Sequence, residues 1–119
     1  MKANGSDLPI TVSSTEVVSI TVTLDPVSFA GREADWWIGV HTSFDPPFDW
    51  YTFICDKGWQ PGITPCLRSP LFSVDNPFKV LNTPLPEGDY LFIFGVDPSD
   101  GTPSGPWWGL DGIAVNVHD

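Results

Sequence analysis

Between Thr15 and Leu24 apolar and polar side chains alternate: Val18, Ile20, Val22 and Leu24 fall on one side, Ser19, Thr21 and Thr23 on the other. A period of two lets a strand bury one face and wet the other. The same reading predicts strands over Trp36–Thr42, Trp50–Asp56, Asp89–Val96 and Gly112–His118, the last with Ile113, Val115 and Val117 on one face. Asp89–Val96 is apolar on both sides, with Tyr90, Phe92, Phe94 and Val96 opposed to Leu91 and Ile93. That is the pattern of a central strand. Shorter candidates are Leu8–Val12, confined to an edge by Pro9, and Leu71–Val74 and Phe78–Leu81 around Asp75-Asn76-Pro77.

Gly and Pro punctuate what lies between. Asp25 to Asp35 holds Pro26 and Gly31, and Ser43 to Asp49 turns at Pro46-Pro47. Lys57 to Pro70 reads as loop, as does Asp97 to Trp108. No capped helix and no internal repeat is evident. The chain therefore reads as all-β, an immunoglobulin-like or fibronectin-III-like sandwich of seven or eight antiparallel strands over residues 8–119. Residues 1–7 (MKANGSD) are expected to be a frayed or added lead.

Composition agrees with that class. Six Trp, eight Phe, 13 Pro and 11 Gly stand beside one Met in 119 residues, a mixture that suits strands and turns better than helices. The 15 acids against five bases, net −10, would repel phosphate backbones and anionic lipid. Nucleic acid is thus not an expected partner. Direct membrane insertion is not expected either, because no apolar run reaches the ~18 residues of a span. Met1-Lys2-Ala3-Asn4-Gly5 has no signal-peptide character. The expectation is a mature or excised segment, given a start methionine, from an extracellular, cell-surface or periplasmic setting.

Leu85-Pro86-Glu87-Gly88-Asp89-Tyr90 leads into the strongest strand. In sandwiches a Tyr at the start of the penultimate strand turns its hydroxyl back to the preceding corner. Pro86 and Gly88 supply the backbone such a corner needs. A core aromatic is the plainer alternative for Tyr90.

Further motifs are Asp35-Trp36-Trp37, Trp50-Tyr51-Thr52-Phe53, Gly58-Trp59-Gln60-Pro61-Gly62, Pro70-Leu71-Phe72, Phe78-Lys79-Val80-Leu81-Asn82 and Leu85 through Asp97. With them, residues 35–117 resemble a poorly characterised bacterial module, an Ig-like sandwich appended to secreted and surface-attached proteins. The resemblance implies an extracellular accessory domain with no established catalytic role. The module often has an Asp/Asn-rich stretch after Gly-Val-Asp; Pro98-Ser99-Asp100-Gly101-Thr102-Pro103 departs from it here.

Cys55 and Cys66, eleven positions apart, are too few and too widely spaced for a metal site. A disulfide pinning the intervening loop fits an exported domain; two separate buried thiols are the alternative. His41 and His118 lack a nucleophile or acid partner in sequence, and no Gly-x-Ser-x-Gly occurs. Nothing points to an enzyme. No cofactor is expected, with calcium a weak alternative at Asp97, Ser99, Asp100 and Asp111, for which a role as turn residues is the favoured reading.

Adjacent side chains on a strand point to opposite faces. One of Trp36 and Trp37 should therefore enter the core while the other lies outside or under a loop. Trp59, Trp107 and Trp108 are the candidates for contact with a sugar or a partner, against a packing role. The expected function is a structural, adhesive or assembly module of a bacterial surface protein or filament. It would bind other proteins or like subunits through edge strands and loops. A carbohydrate-binding accessory domain is the alternative.

Overall fold

The computed structural model describes residues 1–42, 50–55, 57–103 and 105–119. Among them ten strands form: β1 (Lys2–Ala3), β2 (Ile10–Val12), β3 (Val17–Leu24), β4 (Glu33–Thr42), β5 (Trp50–Ile54), β6 (Gly58–Pro61), β7 (Leu67–Pro70), β8 (Val74–Pro84), β9 (Gly88–Pro98) and β10 (Gly109–Val117). One 3-10 turn, Val27–Phe29, precedes β4. The strands make a sandwich of a three-stranded sheet, β1-β3-β8, and a seven-stranded sheet, β2-β10-β9-β4-β5-β6, in which β7 also pairs with β4. The run β10-β9-β4-β5-β6 matches the G-F-C-C′-C″ order of a variable-type immunoglobulin domain. All pairings are antiparallel except β2 with β10, which is parallel.

The central strand behaves as its pattern requires. β9 lies between β4 and β10, with nine residue pairs on each side. Its inward row of Tyr90, Phe92, Phe94 and Val96 is buried, as are Val18, Ile20 and Val22 of β3 and Ile113, Val115 and Val117 of β10. Trp36 is the inter-sheet tryptophan, 6.3 Å from Phe94, its indole N–H donated to the Ser69 carbonyl at 3.2 Å. Each large side chain removed from water in this way contributes roughly 1.5–3 kcal/mol.

The corner before β9 forms as expected. The Tyr90 hydroxyl donates to the Pro86 carbonyl at 2.7 Å. Burial pushes the phenol up to about 12, so it stays a donor throughout the neutral range.

Three expectations are corrected. The first residues are not frayed: Lys2 and Ala3 pair with Thr21 and Ile20, and Met1 and Ala3 are buried. Asn4 clips this start to β3, receiving the Ser19 N–H on its side chain at 2.7 Å and donating its own N–H to the Ser19 carbonyl at 2.8 Å. Lys57 to Pro70 holds two short strands, β6 and β7, which its Gly and Pro residues conceal from a period-two search. Leu71–Val74 and Phe78–Leu81 are not two strands; Leu71 to Ser73 are irregular and β8 runs on through Pro77. Pro is tolerated there because, among the described residues, β8 pairs with β3 on one side only. The turn expected at Ser43–Asp49 lies outside the described residues.

In a variable-type domain the smaller sheet has a fourth strand beyond the position of β8. Here β7, the next strand back in the chain, pairs instead with Glu33–Trp36 of β4 in the larger sheet. Among the described residues three strands then face seven, and no strand closes the seam along β8.

Candidate functional site

The outer face of the large sheet carries the unusual chemistry. On β4 the outward positions are Asp35, Trp37, Gly39 and His41; opposite them on β9 stand Asp97, Gly95, Ile93 and Leu91. The register brings Thr52 of β5 beside Gly39 and Trp50 beside His41, while Gly112 and Leu110 of β10 meet Ile93 and Gly95. Gly39 and Gly112 thus flank Ile93 in one row across the sheet and leave space on either side of its side chain. Trp37 and Leu110 rise on one side of it, Trp50 and Leu91 on the other. The result is a groove of about 320 Å³ lined by Trp37, Trp50, Ile63, Ile93, Trp107 and Leu110 among others. Leu110, Ile63 and Leu91 are 58%, 57% and 43% exposed.

The Trp107 ring lies over Gly95. A β-carbon at that position would sit 2.7 Å from Trp107 Cζ3 and 3.1 Å from Leu110 Cδ1, so only glycine admits the ring. Two buried carboxylates place the segment that carries this ring. Asp35 and Asp97 are register partners on neighbouring strands, and neither side chain reaches solvent. Asp97 accepts the Trp37 indole N–H at 2.7 Å and the Gly105 N–H at 3.1 Å. Asp35 accepts from Arg68 Nε and the Gly101 N–H, both at 2.7 Å, and from Ser99 Oγ at 3.3 Å. Burial alone would raise the Asp35 pKa. The hydrogen bonds from Arg68, Gly101 and Ser99, with the Arg68 charge, outweigh it and hold the carboxyl below its ordinary value. The two aspartates therefore fold the β9–β10 connection back onto the sheet and seat Trp107 in the groove wall.

The cysteines are joined as a disulfide, with Cα atoms 5.2 Å apart. Cys66 also donates its N–H to the Trp36 carbonyl at 2.7 Å, tying the bridge to β4. The three contact tryptophans separate. Trp107 alone lines the groove. Trp59 is half-buried between the sheets, its indole N–H donated to the Val80 carbonyl at 3.0 Å. Trp108 is half-buried and stacked on Phe29 at 5.6 Å, with the Arg32 guanidinium 5.8 Å from its ring. Trp36 and Trp37 do point to opposite faces, and Trp37 is the one covered from outside. Sequence reasoning passed over Trp50, Ile93 and Leu110 as contact residues. For Ile93 the signal was the second apolar row of a strand already read as central; Trp50 and Leu110 lie on the flanking strands β5 and β10 and join it only through register.

The calcium alternative finds no common site. Asp97 is committed as above, Asp100 accepts from Thr102 within its own turn, and Asp111 sits on β10, accepting the chain's amino group at 2.8 Å. Among the described residues no group of three or more His, Cys, Asp or Glu side chains is placed to hold a metal ion. His41 packs its ring 4.9 Å from Trp50. Among the described residues no helix is long and apolar enough to cross a membrane. Comparison with family models, curated proteins and solved structures returns no match.

Proposed function

We propose that this domain is a non-catalytic assembly module of a bacterial extracellular or surface protein, joining a second copy of itself through the outer face of the seven-stranded sheet. The observation that carries the reading is an uncharged, aromatic-walled groove on a chain of net charge −10. A solvent-facing sheet in such a chain should be polar, and contiguous exposed apolar surface marks an interaction site. Nine residues each of β4, β9 and β10 with the five of β5 and four of β6, at ~4.8 Å between strands and ~3.3 Å per residue, give a face of roughly 570 Å², about 70% of the ~800 Å² per partner of a stable interface.

The edges offer less than the face. β2 has three residues behind Pro9, β6 four ending in Pro61, and β7 four ending in Pro70. β8 contains Pro77 and a register shift beside Ile20. Pro, short length and bulges are how sheet edges avoid pairing. Proximity of like subunits through a face, rather than strand addition, is the contact supported. The disulfide fits an oxidising compartment.

Sugar binding is the competing reading, and Trp50 and Trp107 favour it by offering flat rings. A sugar site also needs polar groups free to receive hydroxyls. In this groove Thr52 Oγ1 donates to the Gly62 carbonyl at 2.6 Å and accepts from Thr64 at 3.3 Å, and the Trp37 N–H is held by Asp97. That commitment favours an apolar partner. Size-exclusion chromatography with light scattering tests the proposal. A dimer should grow with protein concentration, strengthen as salt screens the like charges, and vanish in Leu110→Lys. A strict monomer at every concentration and salt would overturn it, and a sugar-induced change in tryptophan emission would move the function to the sugar reading.

A further inference from the structure

A second apolar space lies on the inner side of the large sheet, at the open seam. Because β7 joins β4, no strand among the described residues pairs with the outer edge of β8, and a cleft of about 410 Å³ enters between the sheets there. Its deepest lining is Trp36 and Phe94, both nearly inaccessible. Phe72 and Phe78 stand at its rim, 48% and 47% exposed, with Leu67 beside them at 36%. The Cys55–Cys66 disulfide forms part of one wall. Its lining, among the described residues, has no charged side chain, and Asn76 supplies the only side-chain amide.

The shape of the seam decides the kind of occupant. A peptide strand would need a run of free backbone along β8. Pro77 has no N–H to give, the ladder shifts register next to Ile20, and the Trp59 indole already occupies the Val80 carbonyl. Trp59 also packs 5.6 Å from Phe53 and so blocks the seam like a strut. What remains is an apolar slot within the ~300–1,000 Å³ of small-molecule sites.

We infer that this cleft binds an uncharged lipophilic small molecule, seated between the sheets with any polar end at Asn76. The inference does not rest on the assembly reading, because the groove and the cleft lie on opposite faces of the large sheet. Two physical points support it. Phe72 and Phe78 expose rings that a ligand would cover, recovering free energy in proportion to the area hidden. The walls are two hydrogen-bonded sheets and a disulfide, so the space is preformed and little ordering cost attends binding.

The test is titration of the full chain with N-phenyl-1-naphthylamine, an uncharged fluorescent lipophile, with dodecanol as competitor. Saturable one-to-one binding displaced by dodecanol is expected, and Val74→Trp, which fills the slot from its β8 wall, should weaken it about tenfold or more. Leu110→Lys, on the opposite face, should leave it unchanged. Methyl NMR on the native chain gives a readout that no variant's misfolding can spoil: Val22, Leu67 and Val74 should shift, and Ile93 and Leu110 should not. Absence of saturation up to about 100 µM, or shifts confined to Ile93 and Leu110, would overturn the inference. A parallel flotation with neutral phosphatidylcholine vesicles separates a free lipophile from a bilayer chain. Vesicle capture without probe binding would also overturn it.

Discussion

Asp97→Asn tests the idea that a buried carboxylate builds the groove. In the native chain one aspartate, fully buried on the outer face of β9, receives the Trp37 indole N–H and the Gly105 N–H on different oxygens. Asparagine has one oxygen to offer. Whichever donor it keeps, the other faces an amide NH2, donor against donor. Hydrogen bonds to a charged group contribute roughly 1.5–3 kcal/mol each, neutral ones about 1 kcal/mol, and a buried donor left unpaired costs about 1–3 kcal/mol. Against this, the variant no longer desolvates a charge, a saving of several kcal/mol where a carboxylate is poorly paired. Both Asp97 oxygens are bonded at 3.1 Å or less, so pairing should win, with a net loss of about 2–3 kcal/mol. For a chain of 119 residues that lowers the melting temperature by roughly 10 °C. Thermal unfolding followed by circular dichroism measures it. Acrylamide quenching should rise in the same variant as the Gly105–Trp107 segment loosens. An unchanged or raised melting temperature would refute the reasoning, because desolvation would then have outweighed two good hydrogen bonds.

Tyr90→Phe should destabilise by about 1 kcal/mol, the net value of one hydrogen bond whose acceptor is rehydrated at the surface, read as a lower urea midpoint with unchanged slope. Reduction of Cys55–Cys66 releases a short loop and should cost about 2–3 kcal/mol; melting curves with and without a thiol reductant, equal within error, would contradict it. Acid stability should follow Asp35. Its folded pKa lies below the ordinary 3.8, so the unfolded chain binds the proton first on acidification. Its contribution is complete above about pH 5 and disappears as the pH falls through 3.8 and below. Asp35→Asn should therefore flatten the acid limb of the stability curve, and an unchanged limb would show that other groups govern it.

Local chemistry was enough to determine the strands that alternate and the corner that starts β9. Val18, Ile20 and Val22 can bury together only on a strand, and Pro86, Gly88 and Tyr90 specify their own turn. The cysteine pair followed from count and compartment, and the opposition of Trp36 and Trp37 from strand geometry alone. The same reasoning passed over β6, β7 and the ordered first residues. Segments of two to four residues stand only because a neighbouring strand pairs with them, and no local pattern encodes that neighbour. The site was lost for a related reason. Trp37, Trp50, Ile93, Gly95 and Leu110 are scattered over four strands, and they become one surface through register. Gly95 admits the Trp107 ring only because Asp35 and Asp97 bring that loop back across the sheet. The open seam likewise depends on β7 choosing β4 over β8. Alternation tells each residue which face of its strand it occupies, whereas which faces meet is set by long-range pairing, and that is decided only when the whole chain folds.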